Sequence, residues 1–319
     1  MMKESITISF LILVSFFIQA QDDYSKYHQS IILVEDLISN EKFAEAVKEY
    51  NKIFEAYDYV FLKDILIAAQ VAYLSDDIEK TNEWLLRAVT DGYDCNCIKR
   101  LPIFKEYIEL DQWKKIESQY EELNDEYLTT IDLGLHYEFH HRYKQEQENK
   151  SNRIKYKDIV TDNYRRIKSI MDSIPFPSER LIGIDDGAIF PTTIGGSLSN
   201  CEAGNSKVIP TLLHYDNPIT DIGIDKFIVA LKLGHLHPRQ FASIYSFESN
   251  YVSRLSGNRS VNKPRLPEYF FNFGFEKKID DFERVNSDRR KFGICSLETE
   301  KKLEIVSKRY KLRMSYGYK

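Results

Sequence analysis

Between residues 24 and 88 the apolar positions return every three or four residues, the spacing that lays one side of an α-helix against a core. Ile32, Leu33, Leu37 and Ile38 mark a first helix and Phe43, Ala46, Val47, Tyr50, Ile53 and Phe54 a second, with polar Asn40-Glu41 as the turn. The pattern then repeats. Ile65, Ala68, Ala69, Ala72 and Tyr73 mark a third helix, Asp76-Asp77 the next turn, and Ile78, Trp84, Leu85 and Ala88 a fourth. A further helical pair is expected through Tyr107, Ile108, Trp113 and Ile116, and a long, highly charged bridging helix through Leu123, Tyr127, Leu128 and Ile131. The chain is expected to divide into helical repeats over 21–118 and a C-terminal domain over 119–319, and the polar run from Gln145 to Arg153 predicts a loop.

The second half again shows helical spacing near 157–172, 208–215, 224–233, 238–247, 278–291 and 297–310, with Gly293 and Ser296 separating the last two as C-terminal and N-terminal caps. Residues 183–206 are the least helical part, with Gly183, Gly187, Gly195, Gly196 and Gly204 in a long loop, and Tyr269 to Phe275 suggests a short strand. The expected fold class is therefore mainly α: helical hairpins, then a helical domain with a long Gly-rich loop and at most a short β element.

Ala46, Tyr50 and Ile53 are matched by Thr81, Leu85 and Ala88 thirty-five residues later. This period resembles that of tetratricopeptide repeats, whose small residues let paired helices stack. Ser30 stands where an early aromatic is expected, Val34 replaces a small residue, and no Pro ends either repeat. The resemblance implies a concave surface that holds a protein or peptide partner.

The first twenty residues change the picture of where the chain matures. One Lys3 precedes an apolar run from Ile6 to Ile18, and small Ala20 is followed by Gln21, Asp22 and Asp23, the pattern of a cleaved secretory signal. An exported chain, periplasmic or extracellular, is expected, with no stable membrane span after cleavage. The net charge of -5 offers no electrostatic footprint for nucleic acid, and 43% hydrophobic residues suffice to fill the cores of 319 residues. Disulfides are then allowed among Cys95, Cys97, Cys201 and Cys295, with three pairings open. A Cys95–Cys97 bridge would be strained, whereas a bridge from that pair to Cys201 or Cys295 would tie the halves together.

Phe176-Pro177 with Leu181-Ile182-Gly183, then Leu213-His214-Tyr215-Asp216-Asn217, then Asn286, Arg289-Arg290, Gly293 and Leu297 resemble an uncharacterised bacterial domain family that follows tetratricopeptide-like helices in exported proteins. The likeness runs over about 124–310 and implies a helical domain of unknown function. Leu213 stands where the family carries Gln, and Ser246-Phe247 where it carries Asp-Arg, so His214, Asp216 and Arg289 are the matching polar positions.

Of 7 histidines, six lie between His136 and His237. His136 and His140 share a helix face at the spacing that lets two imidazoles hold one ion, and His214, His235 and His237 complete the candidate metal ligands. Glu138 sits on the wrong side for a zinc-peptidase motif. No cofactor is expected beyond a divalent metal at these histidines. Cys201, thirteen residues before His214, fits a disulfide better than a nucleophile, and Asp185-Asp186-Gly187 fits a turn better than a calcium loop. No Gly-x-Ser-x-Gly and no phosphate loop occur. The leading expectation is an exported helical-repeat protein that binds a protein or peptide; the competing one is a metal-dependent or hydrolytic enzyme built on His214, Asp216 and Arg289.

Overall fold

The computed structural model describes residues 23–184, 201–204, 207–255, 266, 269–272 and 281–318. The expected leader, Asp185-Asp186-Gly187, Gly195-Gly196 and Phe273 to Phe275 lie outside them. Sixteen α-helices and two short 3-10 turns form the described residues, with no strand among them. The fold is mainly α.

Two helical hairpins open the chain: α1 (Tyr24–Ser39) with α2 (Phe43–Ala56), and α3 (Leu62–Leu74) with α4 (Ile78–Thr90). Their turns are built alike at the 35-residue offset. Lys42 N–H bonds to Leu37 C=O at 3.0 Å, as Asp77 N–H bonds to Ala72 C=O at 3.0 Å. Glu41 and Asp76 both take left-handed φ, 59° and 60°. Asp76 is of the short polar kind that tolerates that conformation in a helix-to-helix turn. The stripe that α1 buries is Tyr27, Ile31, Val34 and Ile38, spaced 4-3-4, while Leu33 is 51% exposed. In α3 every residue from Leu62 to Ala72 is buried, so its inner side is covered as well as the side facing α4.

Beyond α4 the expected third pair is built from shorter pieces: α5 (Cys95–Lys99), two 3-10 turns, and α6 (Asp111–Ser118), with Tyr107 and Trp113 fully buried. The expected bridging helix is also broken. It is α7 (Tyr120–Thr130) and α8 (Leu133–Glu148), because Ile131 is extended and Asp132 starts a new helix by accepting from Leu135 N–H at 2.9 Å. Helix α8 runs on through half of the expected loop, which shrinks to 149–152 before α9 (Arg153–Ile170).

The remaining helices are α10 (Glu179–Ile182), α11 (Val208–His214), α12 (Pro218–Ile222), α13 (Ile224–Lys232), α14 (Pro238–Leu255), α15 (Phe282–Lys291) and α16 (Leu297–Tyr310). Gly293 has φ 79°, and a Cβ there would lie 2.4 Å from the Cβ of His28, so glycine is required both by the turn and by the approach of α1. Ser296 caps α16 by accepting from Thr299 N–H at 3.1 Å, the cap expected from the sequence.

Two hydrophobic clusters form. One joins the hairpins to Ile184, Cys201, Leu303, Val306, Leu312, Tyr316 and Tyr318; the other packs Phe139, Ile167, Leu212, Phe227, Phe241 and Phe271 around α8, α9, α11, α13 and α14. The last helix and the last residues thus close onto the first hairpins. Lys311, with φ 58°, ends α16 and turns the chain, and Tyr316 and Tyr318 are completely buried against the inner side of α3. Gln70 reads this segment as a peptide: its side-chain amide donates to Arg313 C=O at 2.9 Å and accepts from Arg313 N–H at 2.8 Å, and it also donates to the Tyr316 hydroxyl at 2.9 Å. No helix among the described residues is long and apolar enough to cross a membrane.

Candidate functional site

Where the C-terminal segment, α1, α14 and α16 meet, the sequence places charged residues in an otherwise apolar junction. Arg239, near the start of α14, donates to Glu300 at 2.6 Å and lies 3.4 Å from both Glu35 and the Cys295 sulfur. Glu300 also takes the Arg289 guanidinium at 2.8 Å, and Glu35 takes Lys63 at 3.4 Å. Lys63 lies 3.3 Å from Asp64, which accepts from Tyr27 OH at 2.7 Å. Opposite charges alternate along this chain, which is how buried ions are tolerated. Burial pushes the Glu35 carboxyl up, but Arg239 and Lys63 outweigh it and hold the group at about 2. Burial, helped by Glu35, pushes the Cys295 thiol up to about 12, so it is an inert thiol and not a nucleophile.

Beside the network opens a cavity of about 820 Å³. Leu213, Phe247, Leu303 and Met314 give it an apolar wall, Ser243 and Ser307 offer hydroxyls, and Glu300, Lys301 and Glu304 stand along the α16 side. Met314, Ser315 and Tyr318 of the C-terminal segment form another wall. The volume falls within the range of small-ligand and peptide side-chain pockets.

Glu179, the first residue of α10, fastens the C-terminal segment from below. Its carboxylate accepts from Tyr59 OH at 2.6 Å, from Leu62 N–H at 3.1 Å and from Tyr318 OH. Burial outweighs these donors and raises the group to about 7. The fold therefore holds this proton more tightly than the unfolded chain, whose value is near 4.5. The stability it contributes is complete below about pH 4.5 and is lost as pH rises through about 7, a change of about 3 kcal/mol. Glu179→Gln imitates the protonated acid. In paired thermal melts its Tm relative to the parent should rise between pH 5 and pH 8, and a constant difference would show that Glu179 does not titrate in this range.

The five candidate metal ligands are not gathered in one place. His136 and His140 stack at 5.4 Å on α8, with His136 Nδ1 2.6 Å from the Ile182 carbonyl. His235 meets the Ser178 hydroxyl at 3.4 Å. His237 accepts from Arg239 N–H at 3.1 Å and packs edge-on against Phe61 and Tyr318; burial keeps it neutral, well below the usual imidazole range. His214 lies with none of these. No group of three or more His, Cys, Asp or Glu among the described residues is placed to hold one metal ion.

Of the three candidate catalytic residues, Arg289 is fully buried, bonded to the carbonyls of Cys295 (2.7 Å) and Phe271 (2.8 Å) as well as to Glu300. Its bonds hold α15, α16 and the 269–272 segment together. Asp216 lies partly exposed in the turn after α11, and the carboxylate that meets His214 is Glu146. That residue was hidden in the polar run read as a loop. Its side chain is 0% exposed, with Asn163 Nδ2 donating to it at 3.2 Å. Cys201 is bonded to Cys97, which removes it as a nucleophile and leaves Cys95 and Cys295 as buried thiols. No known protein family, curated protein or solved structure matches the chain.

Proposed function

We propose that this chain is an exported interaction protein that binds a segment of a protein or peptide partner in the cavity between α1, α14, α16 and the C-terminal residues. The observation that carries this reading is the cavity itself: about 820 Å³, apolar on the Leu213, Phe247, Leu303 and Met314 side and bordered by hydroxyls and charges. Such a wall suits one or two apolar anchors with polar main chain beside them. The inner side of the hairpins, where tetratricopeptide-like arrays hold peptides, is filled here by Tyr316 and Tyr318, which moves the open surface to the neighbouring cavity. The order of the motifs between 176 and 297 supports kinship with exported tetratricopeptide-linked domains. The apolar run at 6–18 and the disulfide support an oxidising compartment.

The test is selection of peptides from a random display library on the folded chain, followed by titration of the winners. Enriched peptides should carry paired apolar residues, and Ser243→Trp, which fills the cavity from α14, should weaken them at least about tenfold, while Glu148→Ala on the distant surface should not. Absence of enrichment, or binding indifferent to Ser243→Trp, would sink the reading.

A further inference from the structure

We infer that His214 and Glu146 form a proton-accepting pair that activates water against the acyl carbon of a small ester. The inference is independent of the binding reading and rests on a separate part of the fold, where α8, α9 and α11 meet.

Glu146 projects from the last turn of α8 into the interior, with no exposed surface. One oxygen takes the Asn163 amide from α9 at 3.2 Å, and the other takes Nδ1 of His214, the last residue of α11. A carboxylate accepts only, so Nδ1 carries the proton, and in the neutral ring Nε2 is the lone-pair nitrogen. The His214 side chain is 27% exposed, so water reaches it while the carboxylate behind it stays dry. Tyr143 lies nearly parallel to the imidazole, 10° between planes and 6.2 Å between centres, and Tyr156 flanks it at 6.4 Å. The ring plane is thus fixed from the same helix that supplies the carboxylate.

A dry carboxylate behind a partly exposed imidazole whose Nδ1 it binds supplies the parts of a general base. The step balances without a further reactant. A water proton moves to Nε2, and the water oxygen bonds to the acyl carbon. The bond from that carbon to the alcohol oxygen then breaks, and the imidazolium returns its proton to that oxygen. Acid and alcohol leave, and His214 is restored. His214 is the catalytic residue and Glu146 a positioning residue.

The test uses the full chain with p-nitrophenyl acetate and p-nitrophenyl butyrate as probes. His214→Gln should lower the rate at least about a hundredfold. Glu146→Gln should lower kcat about tenfold with KM unchanged. Nitrogen NMR of ¹⁵N-histidine-labelled parent protein should show the Nδ1-protonated tautomer at His214, and Glu146→Gln should shift it toward a mixture. Equal hydrolysis by parent and His214→Gln on both probes would overturn the inference. If either variant fails to fold, the tautomer in the parent decides: Nε2-protonated imidazole at His214 overturns it as well.

Discussion

Reducing the Cys97–Cys201 disulfide lowers the stability of the fold by about 4–5 kcal/mol. The bond closes a loop across a sequence separation of 104, and in the chain-entropy view a crosslink over that length removes about this much from the unfolded ensemble. Its local setting adds to the effect. Tyr93 OH donates to the Cys201 carbonyl at 2.9 Å, Gln240 donates to the Gly204 carbonyl at 2.6 Å, and Gly204 N–H donates to the Tyr316 carbonyl at 2.9 Å. The segment pinned by the disulfide therefore supports α14 and the C-terminal residues together. For a chain of this size a Tm drop on the order of 10 °C is expected in calorimetry with reductant, or in a Cys97→Ser, Cys201→Ser double variant. A thiol count rising from two to four with no change in Tm would contradict it.

The second large effect is expected at Tyr316. Its ring lies edge-on to Tyr93 at 6.0 Å, its hydroxyl accepts from Gln70 at 2.9 Å, and none of it is exposed. Tyr316→Ala removes a buried aromatic of the kind that costs about 3–5 kcal/mol. Loss of more than about 3 kcal/mol in urea unfolding is expected, with an unchanged m-value. A loss under about 1 kcal/mol would mean that the C-terminal segment is not part of the core.

The helical hairpins were legible because their determinants are local. Apolar spacing set the faces, Asn40-Glu41 and Asp76-Asp77 set the turns, and Gly293 with Ser296 set the start of α16. Even there the chosen side of α1 was shifted: Ile31, Val34 and Ile38 face inward and Leu33 does not, since in so apolar a helix the pattern alone leaves the direction of the stripe to the neighbours. Helix breaks were harder. A charged helix and two shorter ones look alike when the break is made by Asp132 and by Leu181, whose carbonyl accepts Asp132 N–H at 2.7 Å from far along the chain.

The site was half legible. His214 stood out by residue type, but its partner Glu146 lay in a run as polar as any surface loop, and a carboxylate buried by a histidine 68 positions away leaves no local trace. The candidate metal histidines show the same limit of local reading: spacing of four joins His136 to His140, while joining either to His235 or His237 depends on packing. Tyr316 and Tyr318 drew no attention in the sequence, because only the left-handed turn at Lys311 carries them back to Gln70 and Glu179.

The central claim is that the chain fills the inner side of its own hairpins and leaves the adjacent cavity open for a partner. Amide hydrogen exchange of the C-terminal residues tests it most directly. Arg313, whose N–H bonds to Gln70, and Gly204, whose N–H bonds to the Tyr316 carbonyl, should exchange as slowly as the interior of α3. Exchange at both within seconds, with α3 still protected, would mean that the C-terminal segment does not occupy that surface and that the hairpins themselves are open to a peptide.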